Sequence, residues 1–290
     1  MFDSILNLRQ PMKPEPSQVV SQLQLMPAVR AVVFDVYGTL VISGSGDVGS
    51  ADSRGHDTKI RDALLAAGLV MREDRVPTTK ELHEIIQRLN DARRGENCPK
   101  PEVDILEAWR QLLSVWDIEC RGSEAKSIAQ VAAEYESRAN PTWPMPQSAE
   151  LLGLLREAGM PLGIVSNAQV FTPCLVENLL DGKSLSDGGF DLDLCVFSNR
   201  FRQAKPGPRL FDVLRAGLKR RGIQPHEALY VGNDMLNDVW AASQAGLRTA
   251  WFAGDARSCR RREDDPRCRS LRPDLVVTEL MELLECVELK

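Results

Sequence analysis

Ala31-Val-Val-Phe-Asp35, continued by Val36-Tyr-Gly-Thr-Leu40, is the stretch on which the fold of this chain turns. Its apolar residues follow one another without a break and are partly β-branched. That suits a strand buried on both faces of a parallel sheet, because a strand with one wet face alternates apolar and polar residues. The run stops at a carboxylate, Asp35. Similar runs recur at Pro161 to Val165, Leu192 to Phe197, Ala228 to Val231, Thr249 to Phe252 and Leu275 to Val277. Amphipathic patterns at Ala149 to Ala158, Arg209 to Arg221 and Asp238 to Ala245 precede the second, fourth and fifth strands of this series. Gly159, Gly222 and Gly246 follow them as natural helix stops. Strands alternating with helices predict an α/β fold, a doubly wound parallel sheet of the Rossmann-like kind.

The interval from Val41 to Asn140 breaks this rhythm. A Gly/Ser/Asp-rich stretch, Ser43 to Ser53, leads into helical patterns at Lys59 to Ala67, Lys80 to Ala92, Val103 to Val115 and Glu124 to Ser137, with no convincing strand. The pattern predicts an all-helical insertion over 42–146, with 29–41 and 147–290 forming the α/β core. Residues 1–28 carry Pro11, Pro14, Pro16 and Pro27 around one short, partly apolar run, Ile5 to Leu8, and read as an arm or linker, either disordered or packed. Arg257 to Arg272 reads as a solvated mixed-charge loop.

With 290 residues, 43% of them hydrophobic, the chain has enough apolar surface for a substantial core, so a disordered tail or a small stapled module is excluded. The 36 Lys and Arg residues against 41 Asp and Glu give a formal charge of −5, which disfavours nucleic-acid binding through a broad basic face. Seven scattered cysteines form no CxxC pair, as reduced thiols would be. No run approaches a membrane span, and Asp3 stands where a signal peptide carries positive charge. The expectation is a soluble, cytoplasmic protein, monomeric or homodimeric, with no membrane or nucleic-acid partner.

Ligands of open parallel sheets bind in the crevice beyond the carboxyl ends of the strands, so polar residues there carry information. Asp35 ends the first strand, Ser166 and Asn167 the second, and Gly232, Asn233 and Asp234 the fourth. Asp238 lies four residues beyond Asp234, where one helical turn returns it to the same face. Three carboxylates converging on one crevice resist joint ionisation unless a cation intervenes. An all-oxygen ligand set points to Mg²⁺. Lys205, just before a helix, places a positive charge opposite, and Ser166 can donate to an anionic substrate oxygen.

Asp35-Val-Tyr-Gly-Thr-Leu40, Ser166-Asn167, Lys205-Pro206 and Gly232-Asn-Asp234 with Asp238 resemble, in order and spacing, the four motifs of the haloacid dehalogenase superfamily, with the helical insertion at the place of that superfamily's cap. The resemblance spans roughly residues 29 to 288. It implies a hydrolase in which Asp35 is the nucleophile and forms an aspartyl intermediate that water then hydrolyses. It further implies that Ser166, Asn167 and Lys205 bind a small anionic substrate, Asn167 mainly through its backbone N–H. Thr39 and Gly38 shape the turn after the nucleophile. Asp35, the backbone carbonyl of Tyr37, Asp234 and, through water, Asp238 are the implied Mg²⁺ ligands.

Tyr37 departs from the phosphatases of that superfamily, which carry there a second aspartate that protonates the leaving oxygen and then deprotonates water. A general acid/base contributes roughly 10² to 10⁴ in rate, and a phenol with a reference pKa near ~10 is a poor base at neutral pH. The superfamily's L-2-haloacid dehalogenases have tyrosine at this place, since a halide leaves without a proton, but they work without metal and lack most of the fourth-motif carboxylates. Phe211 stands where they present a tyrosine. The expectation is a Mg²⁺-dependent, phosphatase-type hydrolase of a small phosphorylated metabolite. The alternatives are a metal-independent 2-haloacid dehalogenase-like enzyme and a non-catalytic phosphate-binding or regulatory protein. A cap lysine that substitutes for the missing acid in some members is not assignable, Lys59 and Lys80 being available. Trp109 and Trp116 read as core of a cap helix, His56, His83 and His226 as exposed, and the polar loop Ser43 to His56 as the face toward the leaving group.

Overall fold

The computed structural model describes residues 2–45, 57–71, 76–120 and 123–289. Most of the polar loop from Ser43 to His56 lies outside them. The strands in chain order are β1 (Ala31–Phe34), β2 (Val41–Ser43), β3 (Thr142–Pro144), β4 (Leu162–Ser166), β5 (Phe190–Phe197), β6 (Ala228–Gly232), β7 (Arg248–Phe252) and β8 (Leu275–Val277). The α-helices are α1 (Asp3–Asn7), α2 (Asp57–Ala66), α3 (Thr79–Asp91), α4 (Ile105–Val115), α5 (Glu124–Ala139), α6 (Ser148–Glu157), α7 (Thr172–Leu179), α8 (Ser198–Phe201), α9 (Arg209–Arg220), α10 (Ala241–Gln244) and α11 (Leu283–Cys286).

Six parallel strands form one sheet in the order β5-β4-β1-β6-β7-β8, with β1 at its centre. The unbroken apolar run of β1 is explained by burial on both faces. Side chains alternate across a strand, so Ala31 and Val33 meet Leu210, Leu214 and Leu218 of α9, while Val32 and Phe34 belong to the opposite layer with Leu151 and Leu155 of α6. Phe34 lies in register with Ile164 of β4 and Val231 of β6. The carboxyl ends of the three central strands therefore finish at one level, which is what brings Asp35, Ser166 and Gly232 together.

Between β2 and β3, helices α2 to α5 enclose a separate apolar cluster that includes Ile60, Leu64, Leu82, Leu112 and Ile128. Trp109, fully buried there, packs edge-on against Tyr135 at 5.5 Å. The stretch read as strand-free does contain β2, which pairs antiparallel with β3 so that Val41 faces Pro144 and Ser43 faces Thr142. The insertion thus leaves and re-enters the core through a two-stranded stem.

The arm is packed. Ile5 of α1 is buried in the main core, Arg9 donates to Asn178 Oδ1 at 2.8 Å, and Gln22 pairs with Val276 on the outer strand β8. All seven cysteines are free thiols. Among the described residues no helix is long and apolar enough to cross a membrane.

Candidate active site

The site gathers at the carboxyl end of β1. Asp35, just past the strand, donates its backbone N–H to Val231 of β6 (2.9 Å) and presents its side chain to Lys205. Gly38, three residues on, has φ +77°, and a Cβ there would fall 2.5 Å from Asn233 Nδ2, so the turn after Asp35 closes against the end of β6 only with glycine. Thr39 reaches the same residue, with Oγ1 3.5 Å from Asn233 Oδ1.

Lys205 is 2% exposed. Its ammonium lies 2.7 Å from Asp35 Oδ1, 2.6 Å from Asp238 Oδ1, 2.9 Å from the Tyr230 hydroxyl and 3.1 Å from the Val165 carbonyl. Burial alone would lower its pKa, but the charges of Asp238 and Asp35 hold it above the ordinary lysine value. Asn167 fixes the loop that carries it, its Oδ1 accepting the Lys205 backbone N–H at 2.7 Å. The Asn167 side chain thus has a positioning role beyond the backbone contribution foreseen. Ser166, fully buried, donates its hydroxyl to the Asn167 carbonyl at 3.1 Å.

Asp35 and Asp238 share the ammonium of Lys205, whereas Asp234 pairs with Arg262. Residues Met235–Trp240 form a π-helical turn rather than the start of an α-helix. Asp238 folds back onto the strand end, Oδ2 accepting the Asp234 backbone N–H at 2.9 Å, above Gly232, where a Cβ would sit 2.4 Å from Asp238 Cγ. Burial, reinforced by Asp35 and Asp234, pushes the Asp238 pKa up against the pull of Lys205. Asp234, also buried, bonds to the following turn and to Arg262. Its Oδ1 caps the backbone N–H groups of Leu236 and Asn237, and its Oδ2 accepts Arg262 at 2.6 Å and Asn237 Nδ2 at 3.0 Å. Among the described residues no three His, Cys, Asp or Glu side chains are placed to hold a metal ion. The residues as arranged do not fit Mg²⁺: Asp238 is committed to Lys205 and Asp234 to Arg262.

Tyr37 keeps its phenol away from proton transfer, as its poor basicity led one to expect. Its hydroxyl is buried 3.0 Å from Thr172 Oγ1 at the start of α7, and burial, with the nearby charge of Glu136, raises its pKa beyond any use as a base.

Arg262 and Tyr230 are functional candidates that sequence reasoning missed. The loop taken as solvated returns Arg262 to the site. A polar Tyr230 within an otherwise apolar strand was the available signal, since a buried phenol needs a partner; Phe211 packs edge-on against its ring at 5.1 Å. Beyond Lys205 opens a cavity of about 810 Å³ between insertion and core, lined among others by His83, Glu136, Gln169, Lys205, Arg262 and Arg267. Its cations suit an anionic ligand. His83 is half-buried in this wall, not exposed, and neither Lys59 nor Lys80 is among its described lining residues. His226 is exposed, as foreseen.

A model of the family described as haloacid dehalogenase-like hydrolase matches residues 29–246. The chain is 32% identical over 234 residues to the phosphoglycolate phosphatase of Escherichia coli, covering 75% of this chain and 79% of that protein. It is 29% identical over 189 residues to the phosphoserine phosphatase of Thermus thermophilus, covering 63% and 68%. A solved 2-haloacid dehalogenase from Pseudomonas syringae shares the fold, with a TM-score of 0.56 and 23% identity over 89% of this chain and 97% of that one.

Proposed function

This chain belongs to the haloacid dehalogenase-like hydrolases, and on that premise we propose that it hydrolyses the phosphate ester of a small anionic metabolite, with Asp35 as nucleophile. The observation that carries the reading is Asp35 held 2.7 Å from the buried ammonium of Lys205, at the end of the central strand and beside a cavity with cationic walls. An Asp35 oxygen attacks phosphorus and the bond to the ester oxygen breaks, leaving an aspartyl phosphate. Water then attacks phosphorus, the bond to Asp35 breaks and inorganic phosphate leaves. Lys205 offsets the negative charge that grows on the transferring group. The phosphatases among its relatives support phosphate as that group.

Arg262 already gives Asp234 the positive charge that a divalent ion would bring. A second reading, displacement of halide from a 2-haloacid, is favoured by Tyr37, whose phenol is in no position to protonate a leaving group. The experiment is phosphate release from a panel of small esters that includes 2-phosphoglycolate, with and without EDTA, alongside chloride release from 2-chloropropionate. Phosphate release that persists in EDTA and disappears in Asp35→Asn is the expected result. Chloride release without phosphate release overturns the phosphatase reading, and silence on both panels points to a binding protein.

A further inference from the structure

The phosphatase reading leaves a proton unaccounted for: an alkoxide leaves badly unless protonated, and Tyr37 stands where the acid would be. We infer that Glu136, on the insertion, is the general acid and base of the reaction, a role that rests on that reading. Glu136 sits in the last turn of α5 and lines the same cavity as Lys205 and Asn167. The buried Tyr37 hydroxyl, two residues from the nucleophile, lies within the fields of both Glu136 and Asp35.

Glu136 is also held in place. Asn140 Nδ2 donates to its Oε1 at 3.1 Å, and the direction of that amide is fixed because Asn140 Oδ1 accepts the Ser43 hydroxyl (2.8 Å) and the Ser45 backbone N–H (3.2 Å). Ser43 belongs to the stem, so the carboxylate is tied to the two strands by which the insertion joins the core. Burial raises its pKa to about 7, where a group is protonated often enough to give a proton and basic enough to take one back.

In the first step protonated Glu136 gives its proton to the departing ester oxygen as Asp35 bonds to phosphorus. In the second, the Glu136 carboxylate takes a proton from the water that attacks the aspartyl phosphate. The cycle returns Asp35 ionised and Glu136 protonated, and yields alcohol and inorganic phosphate. The charged groups that share the cavity wall are His83 of α3, Lys100 and Glu102 of the segment before α4, and Lys205, Arg262 and Arg267 of the core.

The test compares Glu136→Gln with the wild type on an alkyl phosphate and on p-nitrophenyl phosphate, whose leaving group needs no proton. Turnover of the alkyl ester should fall by about 10²- to 10⁴-fold. With p-nitrophenyl phosphate the variant should release one stoichiometric burst of nitrophenolate and then stall as the aspartyl phosphate, a burst that also shows it to be folded. The fall in wild-type kcat/KM for the alkyl ester above about pH 7 should vanish in the variant. Alkyl-ester turnover within a few-fold of wild type, or loss of both ester activities together with the burst, overturns the assignment. A wild type inactive on both esters overturns the phosphatase reading itself, and with it this role.

Discussion

Lys205 is the cation that two buried carboxylates share, and removing it leaves Asp35 and Asp238 facing each other without compensation. Losing one partner of a buried ion pair costs about 3–5 kcal/mol, so Lys205→Met should unfold at clearly lower urea concentration as well as lose activity. Arg262 is different, because its side chain is 35% exposed and its pair with Asp234 lies at the rim. Arg262→Ala should fold normally, free Asp234 Oδ2 and raise the affinity for Mg²⁺ measured by calorimetry; unchanged affinity would show that Arg262 is not what closes the site to a cation. Glu136 adds a pH signature to stability. Its carboxyl is raised to about 7 in the folded state, so between about pH 4.5 and 7 the native protein binds more protons than the unfolded chain and stability falls as pH rises. The slope should reach at most about 1.4 kcal/mol per pH unit and be absent in Glu136→Gln. Of these residues, Asp35, Ser166 and Asn167 were legible in the sequence because they end or follow apolar strands, and Lys205 because it stands just before a helix in Ala204-Lys-Pro-Gly-Pro208. Arg262 and Glu136 were not, since each reaches the site from a separate element through tertiary packing.

The elements that read well are those whose burial dictates composition. The central strands are continuous apolar runs because both faces are covered, and each run ends within a residue or two of the observed strand. The π-helical turn after β6 was illegible: Asp234 and Asp238 have the spacing of an α-helical pair, and only the backbone geometry shows Asp238 folded back over Gly232 onto Lys205. Gly232 permits that geometry. Gly232→Ala would drive a Cβ to 2.4 Å from Asp238 Cγ, so Asp238 must leave Lys205, and activity should fall well beyond any loss of folded protein seen by circular dichroism. The three-residue strands of the stem carry too little pattern to be read, and their pairing, like that of α1 with the core, is set by contacts across long sequence separations.

At the scale of the whole molecule, the N-terminal arm and the insertion both close over the sheet domain. Gln169 docks the insertion, its Oε1 accepting the Ile105 N–H at 3.1 Å and its Nε2 donating to Glu102 Oε1 and the Val103 carbonyl, each at 3.1 Å. Proline content made a linker as reasonable as a packed arm for residues 1–28, because composition does not reveal a docking surface. The arm buries Ile5 and Met26, and full burial of such a side chain contributes about 1.5–3 kcal/mol. Deleting residues 2–28 should therefore cost at least about 3 kcal/mol in urea unfolding and, by baring the edge of β8, promote association detectable by light scattering.

The stem has a consequence for how such a protein changes over generations. Its two strands pin the ends of the long excursion side by side, so the entropy of closing that loop grows only with the logarithm of its length, by about 0.6 kcal/mol for each doubling. The excursion can gain or lose whole turns of helix at little thermodynamic penalty while the sheet keeps its register. Selection for a new substrate can then work on the insertion's size and lining, with Asp35 and Lys205 left in place at the end of the sheet.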